Sequence, residues 1–164
     1  MRRRRDPPSP DAPGGTVIEK VYGFVLRECA AGLELFVFEH AGQPEAGLQV
    51  PGGTVEDGEA PLAAVAREVA EESGLRLEGW EAVATLEHEE VPGSATPGPQ
   101  RWHCFAVTPD ATLPDAWLHD PFGSASEHGL RFAYRWIALV DGEPLAGRQE
   151  AARRAVAAWV AERQ

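Results

Sequence analysis

The sequence predicts an α/β fold in which a mixed β-sheet lies between helices. Runs rich in β-branched and aromatic residues recur along the chain, and two segments carry apolar residues at helical spacing, one near the middle and one at the end. Strands interrupted by one helix and followed by another are typical of a layered α/β domain. The 164 residues suffice for one such domain with its own core.

The chain begins with a predicted hairpin. Residues 16–27 (TVIEKVYGFVLR) and 33–39 (LELFVFE) are strand-like, and a short turn at 28–32 separates them. Residues 47–50 form another short extended piece, which ends at Pro51-Gly52-Gly53.

The period then changes from strand to helix. Within residues 61–73, Leu62, Val65, Ala66 and Val69 recur on one helical face. Pro61 suits the first helical position, and Gly74 ends the helix.

The second half repeats the alternation of strand and helix. Residues 80–87, 101–108 and 130–139 resemble strands, separated by long loops at 89–100 and 109–129. The last predicted element is a helix at 144–162. Its expected buried stripe comprises Ala152, Ala155, Val156, Trp159 and Val160.

Composition sets the domain limits and excludes some partners. Residues 1–15 are rich in Arg, Pro and Gly and predict a disordered tail, which leaves residues 16–164 as a single domain. Beyond Arg2–Arg5, 11 basic side chains face 26 acidic ones, a balance that disfavours binding of duplex nucleic acid. No stretch is long and apolar enough for a membrane span or a secretory signal, so we expect a cytoplasmic protein. Two cysteines, Cys29 and Cys104, suggest reduced core thiols rather than a disulfide framework.

Three glutamates at the end of the central helix conflict with local rules. Glu68, Glu71 and Glu72 fall on one side of the helix, where like charges at these spacings destabilise by about 0.2–0.5 kcal/mol per pair. They also occupy the negative end of the helix dipole, at a cost of about 0.3–1 kcal/mol each. Such conflicts tend to mark functional sites. A bound cation would make both the charge repulsion and the interaction with the helix dipole favourable. The alternative is a solvated acidic face.

Spacing around these glutamates resembles a known motif. The segment 53–75 is similar to the Nudix box, G-x5-E-x7-R-E-U-x-E-E-x-G-U, where U is a bulky aliphatic residue. Every specified position matches: Gly53, Glu59, Arg67, Glu68, Val69, Glu71, Glu72, Gly74 and Leu75. The resemblance implies a Nudix-type α/β/α sandwich and hydrolysis of a nucleoside diphosphate linked to another group. The rest of the chain resembles the family only in the order of its elements.

The resemblance also implies a metal site. In the family, the glutamates matching Glu68, Glu71 and Glu72 bind Mg²⁺ or Mn²⁺, often with the backbone carbonyl at Gly53. Oxygen ligands without His or Cys suit these hard cations rather than zinc. Bound metal would screen the phosphates and activate the attacking water.

Other positions of the motif have supporting roles in this interpretation. Glu68 would orient or deprotonate the water, and Arg67 would hold Glu68 by a charge-assisted hydrogen bond. Gly52 and Gly74 have backbone roles, and Glu59 braces the loop before the helix. Glu56 is a further candidate outer ligand. The alternative for Arg67 is an ordinary surface ion pair.

Many members of the family use a second catalytic glutamate from a later loop. Glu127, in the loop before the last predicted strand, is the candidate here. It competes with four other acids: Glu87, Glu89, Glu90 and Asp120. Any of them is equally compatible with simple solvation.

Substrate selectivity must come from groups other than the phosphates. Trp102, Phe105 and Trp117 lie in or beside the long loops and are candidates for stacking on a base, with core packing as the alternative. In the family, ADP-sugar hydrolases usually have a Pro, and diadenosine polyphosphate hydrolases a Tyr, about 15–18 residues after the box. This chain has Pro92, a residue or two late, and no Tyr in that window, so the resemblance slightly favours an ADP-sugar substrate.

The predicted function is therefore Mg²⁺- or Mn²⁺-dependent hydrolysis of a pyrophosphate linkage in a small nucleotide derivative. A non-catalytic Nudix-fold domain that binds nucleotides is the alternative. Nudix proteins are often dimers, so a homodimer stays open.

Overall fold

A computed structural model of the chain describes residues 16–123 and 129–164. The predicted disordered tail, residues 1–15, lies outside these residues. Seven strands and two α-helices occur in the described ranges: β1 Ile18–Cys29, β2 Gly32–His40, β3 Gly52–Thr54, α1 Pro61–Ser73, β4 Glu81–His88, β5 Gln100–Val107, β6 Trp117–His119, β7 Phe132–Ala138 and α2 Gln149–Ala161. A short 3₁₀ turn, Pro44–Ala46, precedes β3. None of the described helices combines the length and the apolar composition that a membrane crossing needs.

The strands form one mixed sheet with the order β4-β5-β1-β2-β7-β6, and β3 pairs with β1 outside this path. The β1–β5 pair is parallel and the others are antiparallel. Val21 and Phe105 pack with α1 on one face of the sheet, whereas Phe24 and Cys104 pack with Val156 of α2 on the other. The predicted α/β/α sandwich with a mixed sheet is thereby confirmed.

Strand β1 changes partner along its length, and this change creates space for a site. Its residues Lys20–Tyr22 pair with β3, and its residues from Leu26 onward pair with β2. The segment between β2 and β3 forms only isolated β-bridges, such as that of Gln49 with Phe38 of β2. A cleft therefore lies between β3 and the start of β7.

Helix α1 begins and ends where its sequence predicts. Pro61 occupies the first turn, and Gly74 adopts the left-handed conformation (φ 79°) while its N–H donates to the Ala70 carbonyl. Val65 and Val69 are fully buried, but Leu62, expected on the same face, is 52% exposed. The buried face instead continues through Ala64 toward the glutamates.

Three boundaries differ from the predictions. The short strand lies at Gly52–Thr54 rather than at 47–50, and β6 falls within the predicted loop 109–129. Helix α2 begins at Gln149 because buried Arg153 donates to the carbonyls of Gly142 and Glu143, which fixes the preceding turn outside the helix.

The prediction of two core thiols is wrong for Cys29, which is exposed at the hairpin end, whereas Cys104 is buried.

Candidate functional site

Carboxylates of α1 form one wall of a cleft of about 830 Å³. Glu68 and Glu72 are only 8% and 4% exposed, and Glu71 lies beside them on the same wall. Burial of carboxylates is costly unless a donor or a cation compensates for lost hydration. The acidic side of α1 is thus an inner surface of the molecule and not a solvated face.

Strand β3 lies against these carboxylates through two glycines. The N–H of Gly52 donates to Oε2 of Glu72 at 3.0 Å. A Cβ atom at Gly53 would collide with the Glu68 carboxylate, and one at Gly52 would collide with the carbonyl of Val21 and the ring of Tyr22. Only glycine permits this close approach of backbone to carboxylate.

Arg67 links the glutamates to the loop that precedes α1. Its Nη1 donates to Glu68 at 2.8 Å and to Glu71 at 3.3 Å. Its Nε and Nη2 donate to the two carboxylate oxygens of Glu59 at 2.8 and 2.9 Å, and Nη2 also reaches the carbonyl of Thr54. Hydrogen bonds from Arg67 lower the pKa of Glu59, and the Glu59 and Glu68 carboxylates raise the pKa of Arg67. The ion pair is therefore charged under all ordinary conditions.

The end of α1 is held by donors that the sequence analysis did not identify. They come from β6, from β7 and from the loop after β6, and they satisfy the last carbonyls of the helix, which have no partner within it. The contacts are Tyr134 Oη to Glu72 O (2.8 Å), Trp117 Nε1 to Ser73 O (3.2 Å), His119 Nε2 to Glu71 O (3.2 Å) and Phe122 N to Glu71 O (3.1 Å). The one sequence signal for these contacts is that Tyr, Trp and His side chains carry polar atoms, which usually find a hydrogen-bond partner when they are buried.

The glutamates of the cleft suit a hard divalent cation. As metal ligands, Glu68, Glu71 and Glu72 offer only carboxylate oxygens, which Mg²⁺ and Mn²⁺ prefer. The carboxylates of Glu68 and Glu71 each lie against a glycine, Gly53 and Gly123, at which a side chain would displace them. Within residues 16–123 and 129–164, however, no three His, Cys, Asp or Glu side chains are grouped closely enough to form a ready-made metal site. The residues fit a metal in chemistry and access, and binding would require the carboxylates to converge.

Aromatic rings line another part of the cleft. The rings of Phe38 and Phe132 stack at 4.2 Å, and the His40 ring lies 4.9 Å from that of Phe132. Tyr22 lines the cleft near the carboxylates and packs on Trp102 at 4.4 Å. Burial, followed by the charge of Glu72, raises the pKa of Tyr22 above its ordinary value, so its hydroxyl is protonated.

The structure places the three predicted base-stacking residues away from the cleft lining. Trp102 and Phe105 are 3% and 7% exposed and pack in the interior. Trp117 stacks on Phe36 and Tyr134 and donates to the end of α1. Their strands direct these rings into the core, and a pattern of alternating residues cannot tell which face of a sheet borders a cleft.

The predicted second catalytic residue, Glu127, lies outside the described residues. Of its competitors, Asp120 pairs with Arg131 and Glu87 pairs with Arg101, whereas Glu89 and Glu90 are exposed. These four are absent from the described lining of the cleft, where Glu56 and Asp57 occur instead.

One family model and several solved structures are similar to this chain. A family model described as NUDIX domain matches residues 20–160. Comparison with curated protein sequences gives no match.

Several solved structures are similar in fold. The NUDIX domain of Shewanella oneidensis NrtR, solved with ADP ribose, superposes with a TM-score of 0.64 at 15% identity, covering 88% of each chain. A C. elegans Ap4A hydrolase binary complex gives 0.56 at 19% identity, covering 89% of this chain and 99% of that one. MutT protein from Methanosarcina mazei Go1 gives 0.59 at 19% identity, with coverages of 90% and 96%. NrtR has also been solved with a 27mer DNA, and there the match covers 62% of the NrtR chain. At these identities the likeness is one of fold.

Proposed function

Because the chain belongs to the Nudix family, we propose that it hydrolyses the pyrophosphate linkage of a nucleoside diphosphate derivative with the help of Mg²⁺ or Mn²⁺. The observation that carries this proposal is the burial of Glu68 and Glu72 on the wall of an open cleft. A protein gains no stability from like charges at a helix C-terminus. A divalent cation would add to the compensation that Arg67 gives to Glu68 and the Gly52 N–H gives to Glu72.

Glu68, Glu71 and Glu72 would hold the metal, with the backbone carbonyl of Gly53 beside them. When bound, a divalent cation neutralises phosphate charge and makes water a better nucleophile. The chain's own contribution is to place three carboxylates on one wall of the cleft, and the N–H of Gly52 fixes one of them, Glu72. Glu68, adjacent to Gly53, would accept the proton from the attacking water.

Arg67 is a positioning residue in this proposal. Its Nη1 atom lies between Glu68 and Glu71, while Glu59 and the carbonyl of Thr54 hold the rest of the guanidinium. These contacts orient the carboxylate of Glu68. In this proposal Glu59, Gly52 and Gly74 support the same arrangement. Glu127 stays the predicted second catalytic glutamate, which a substitution would test.

The substrate is proposed to be a small nucleotide derivative. In the aromatic wall of Phe38, His40 and Phe132, the two phenylalanine rings are buried and the half-buried His40 ring is the one proposed to meet a nucleobase. Stacking of this kind is worth about 1–3 kcal/mol per base. This assignment replaces Trp102, Phe105 and Trp117 as the proposed stacking residues. The acid-lined cleft repels a duplex backbone, so no duplex nucleic acid is proposed as a partner.

The test is a panel of nucleoside triphosphates, ADP-ribose, dinucleoside polyphosphates and coenzyme A, each with Mg²⁺ or Mn²⁺ and with products identified by mass spectrometry. Glu72→Gln should lower the rate by at least about 100-fold, as expected for loss of a metal ligand. The amide oxygen of Gln can still accept from Gly52, so the fold should persist. Glu143→Gln, which changes an exposed carboxylate outside the cleft, is the matched control. Wild-type rates in Glu72→Gln would contradict the proposed metal ligands.

A nucleotide sensor without turnover is the second candidate. It is supported by the fold likeness to the NrtR domain that binds ADP ribose. Calorimetry with ADP-ribose distinguishes the two functions. Binding without any product across the panel would favour the sensor, and metal-dependent release of a nucleoside monophosphate would exclude it.

A further inference from the structure

One cation in the cleft differs in kind from every other cation of the chain. Lys20 is the single lysine in the sequence, in which the other basic side chains are 14 arginines. It lies on β1, half-buried, and lines the cleft together with Tyr22, two residues further along the same strand. Residues two apart in a strand share a face.

Lys20 has no partner among the residues that the structure describes. Neither an ion pair nor a side-chain hydrogen bond links it to a described residue, although Glu56 and Asp57 line the same cleft. The other cation there, Arg67, is occupied by Glu59, Glu68 and Glu71. The Lys20 ammonium is therefore the available positive charge on the described cleft walls.

The position of Lys20 relates it directly to the carboxylates. It is the register partner of Thr54 across β1 and β3, and adjacent strands lie about 5 Å apart. Gly53, which precedes Thr54 in β3, lies against the Glu68 carboxylate. A flexible lysine stem at this point brings a compact charge with three donors near the reacting region, on a different wall from α1.

We propose that Lys20 binds a phosphoryl oxygen of the substrate's diphosphate, holding the phosphate chain from the β1 side while the glutamates act from α1. This inference rests on the proposed function, because the ligand it names is the substrate of that reaction. A diphosphate and the glutamate wall are both negatively charged, so a cation on another wall of the cleft offsets part of the repulsion between them. An ammonium is preferred to a guanidinium here because it contacts one oxygen as a point charge and follows the phosphate as it moves.

Protection from chemical labelling tests this contact without turnover. Because the chain has one lysine, trace acetylation followed by peptide mass spectrometry reports on Lys20 alone, with the α-amino group as the internal reference. Mg²⁺ with ADP or with inorganic pyrophosphate should slow labelling of Lys20 at least threefold and leave the α-amino group unchanged. Unchanged labelling of Lys20 at millimolar ADP and pyrophosphate would overturn the proposal. Protection by Mg²⁺ alone would overturn it as well, since it would indicate a response of the fold rather than a phosphate contact.

Kinetics supply the second measurement. Lys20→Met should lower kcat/KM by roughly 10- to 100-fold, the range for a hydrogen bond to a charged group, and Lys20→Arg should recover part of this loss. Arg154→Met, on the exposed surface of α2, makes the same change in net charge outside the cleft and should leave kcat/KM unchanged. Equal kcat/KM for Lys20→Met and Arg154→Met would refute the contact.

The two proposals fail in different ways. Protection of Lys20 by Mg²⁺ and ADP, with no product from any substrate, would remove the hydrolase and keep the phosphate contact. Metal-dependent hydrolysis that is the same in wild type and Lys20→Met would keep the hydrolase and remove the contact.

Discussion

Glu59 and Arg67 form a two-point ion pair across the start of α1. Nε of Arg67 donates to one carboxylate oxygen at 2.8 Å and Nη2 donates to the other at 2.9 Å. Both side chains are shielded from solvent, with side-chain exposures of 15% and 24%. This pair leaves only Nη1 to reach Glu68 and Glu71, so a residue outside the described cleft lining controls the arginine that orients the carboxylates.

Glu59→Gln should therefore lower activity although Glu59 does not line the cleft. We expect kcat/KM to fall about 10-fold, because Gln accepts only one of the two hydrogen bonds and charge assistance is lost. Steady-state kinetics on the best substrate of the panel measure the effect.

The chain contains a matched control for this change. Glu143 and Arg135 form a similar two-point pair, at 2.9 and 2.8 Å, on the exposed surface. Glu143→Gln should leave kcat/KM unchanged. If the two variants lose the same activity, orientation by Arg67 is not the cause.

Gly53→Ala should separate activity from stability. The added Cβ would meet the Glu68 carboxylate, so this side chain must move, and misplacement by about 1 Å can cost about 100-fold in rate. We expect kcat to fall at least 10-fold with a small change in Tm. Gly79→Ala is the opposite case, because Gly79 has a positive φ of 84° and open space around it. It should lower Tm through backbone strain and leave kcat unchanged. Full activity in Gly53→Ala would show that the carboxylate position is not critical.

Tyr134→Phe should loosen the end of α1. The Tyr134 hydroxyl donates to the Glu72 carbonyl in a buried position, and loss of the donor leaves that acceptor without this bond, at a cost of about 1–3 kcal/mol. Denaturant unfolding measures the loss, and the rate should fall with it because the same turn carries Glu71 and Glu72. Tyr22→Phe is the control, since the Tyr22 hydroxyl makes no hydrogen bond to a described residue. Equal destabilisation in both variants would indicate a packing effect.

His88 should make the fold sensitive to mild acid. Desolvation and the charge of Arg148 lower its pKa below the usual 6.5, and its Nε2 is buried without a hydrogen-bond partner in the described part of the chain. As the pH falls below about 6.5, the unfolded chain binds a proton that the folded chain does not, so the free energy of unfolding decreases. His88→Phe, which retains a ring against Trp102, should show a smaller decrease between pH 7 and pH 5. An unaltered pH dependence would assign the acid sensitivity to other groups.

Local spacing was enough to identify α1 and its motif. Pro61, Gly74 and the buried valines act within one or two helical turns, where side-chain positions follow from the helical period alone. The hairpin of β1 and β2 was predictable for the same reason. The period of 3.6 residues also placed Glu68, Glu71 and Glu72 on one side of the helix before any tertiary contact was known.

The sequence by itself determined the family motif, the sandwich and the glutamate side of α1. Only the tertiary structure decided what surrounds those glutamates. Strands β3 and β6 have three residues each, too few to show a period, yet they bring Gly53 and Trp117 to the two ends of the site. The aromatic wall depends on the antiparallel register that sets His40 opposite Phe132. Such contacts join distant parts of the chain through strand pairing and burial, which no local spacing encodes.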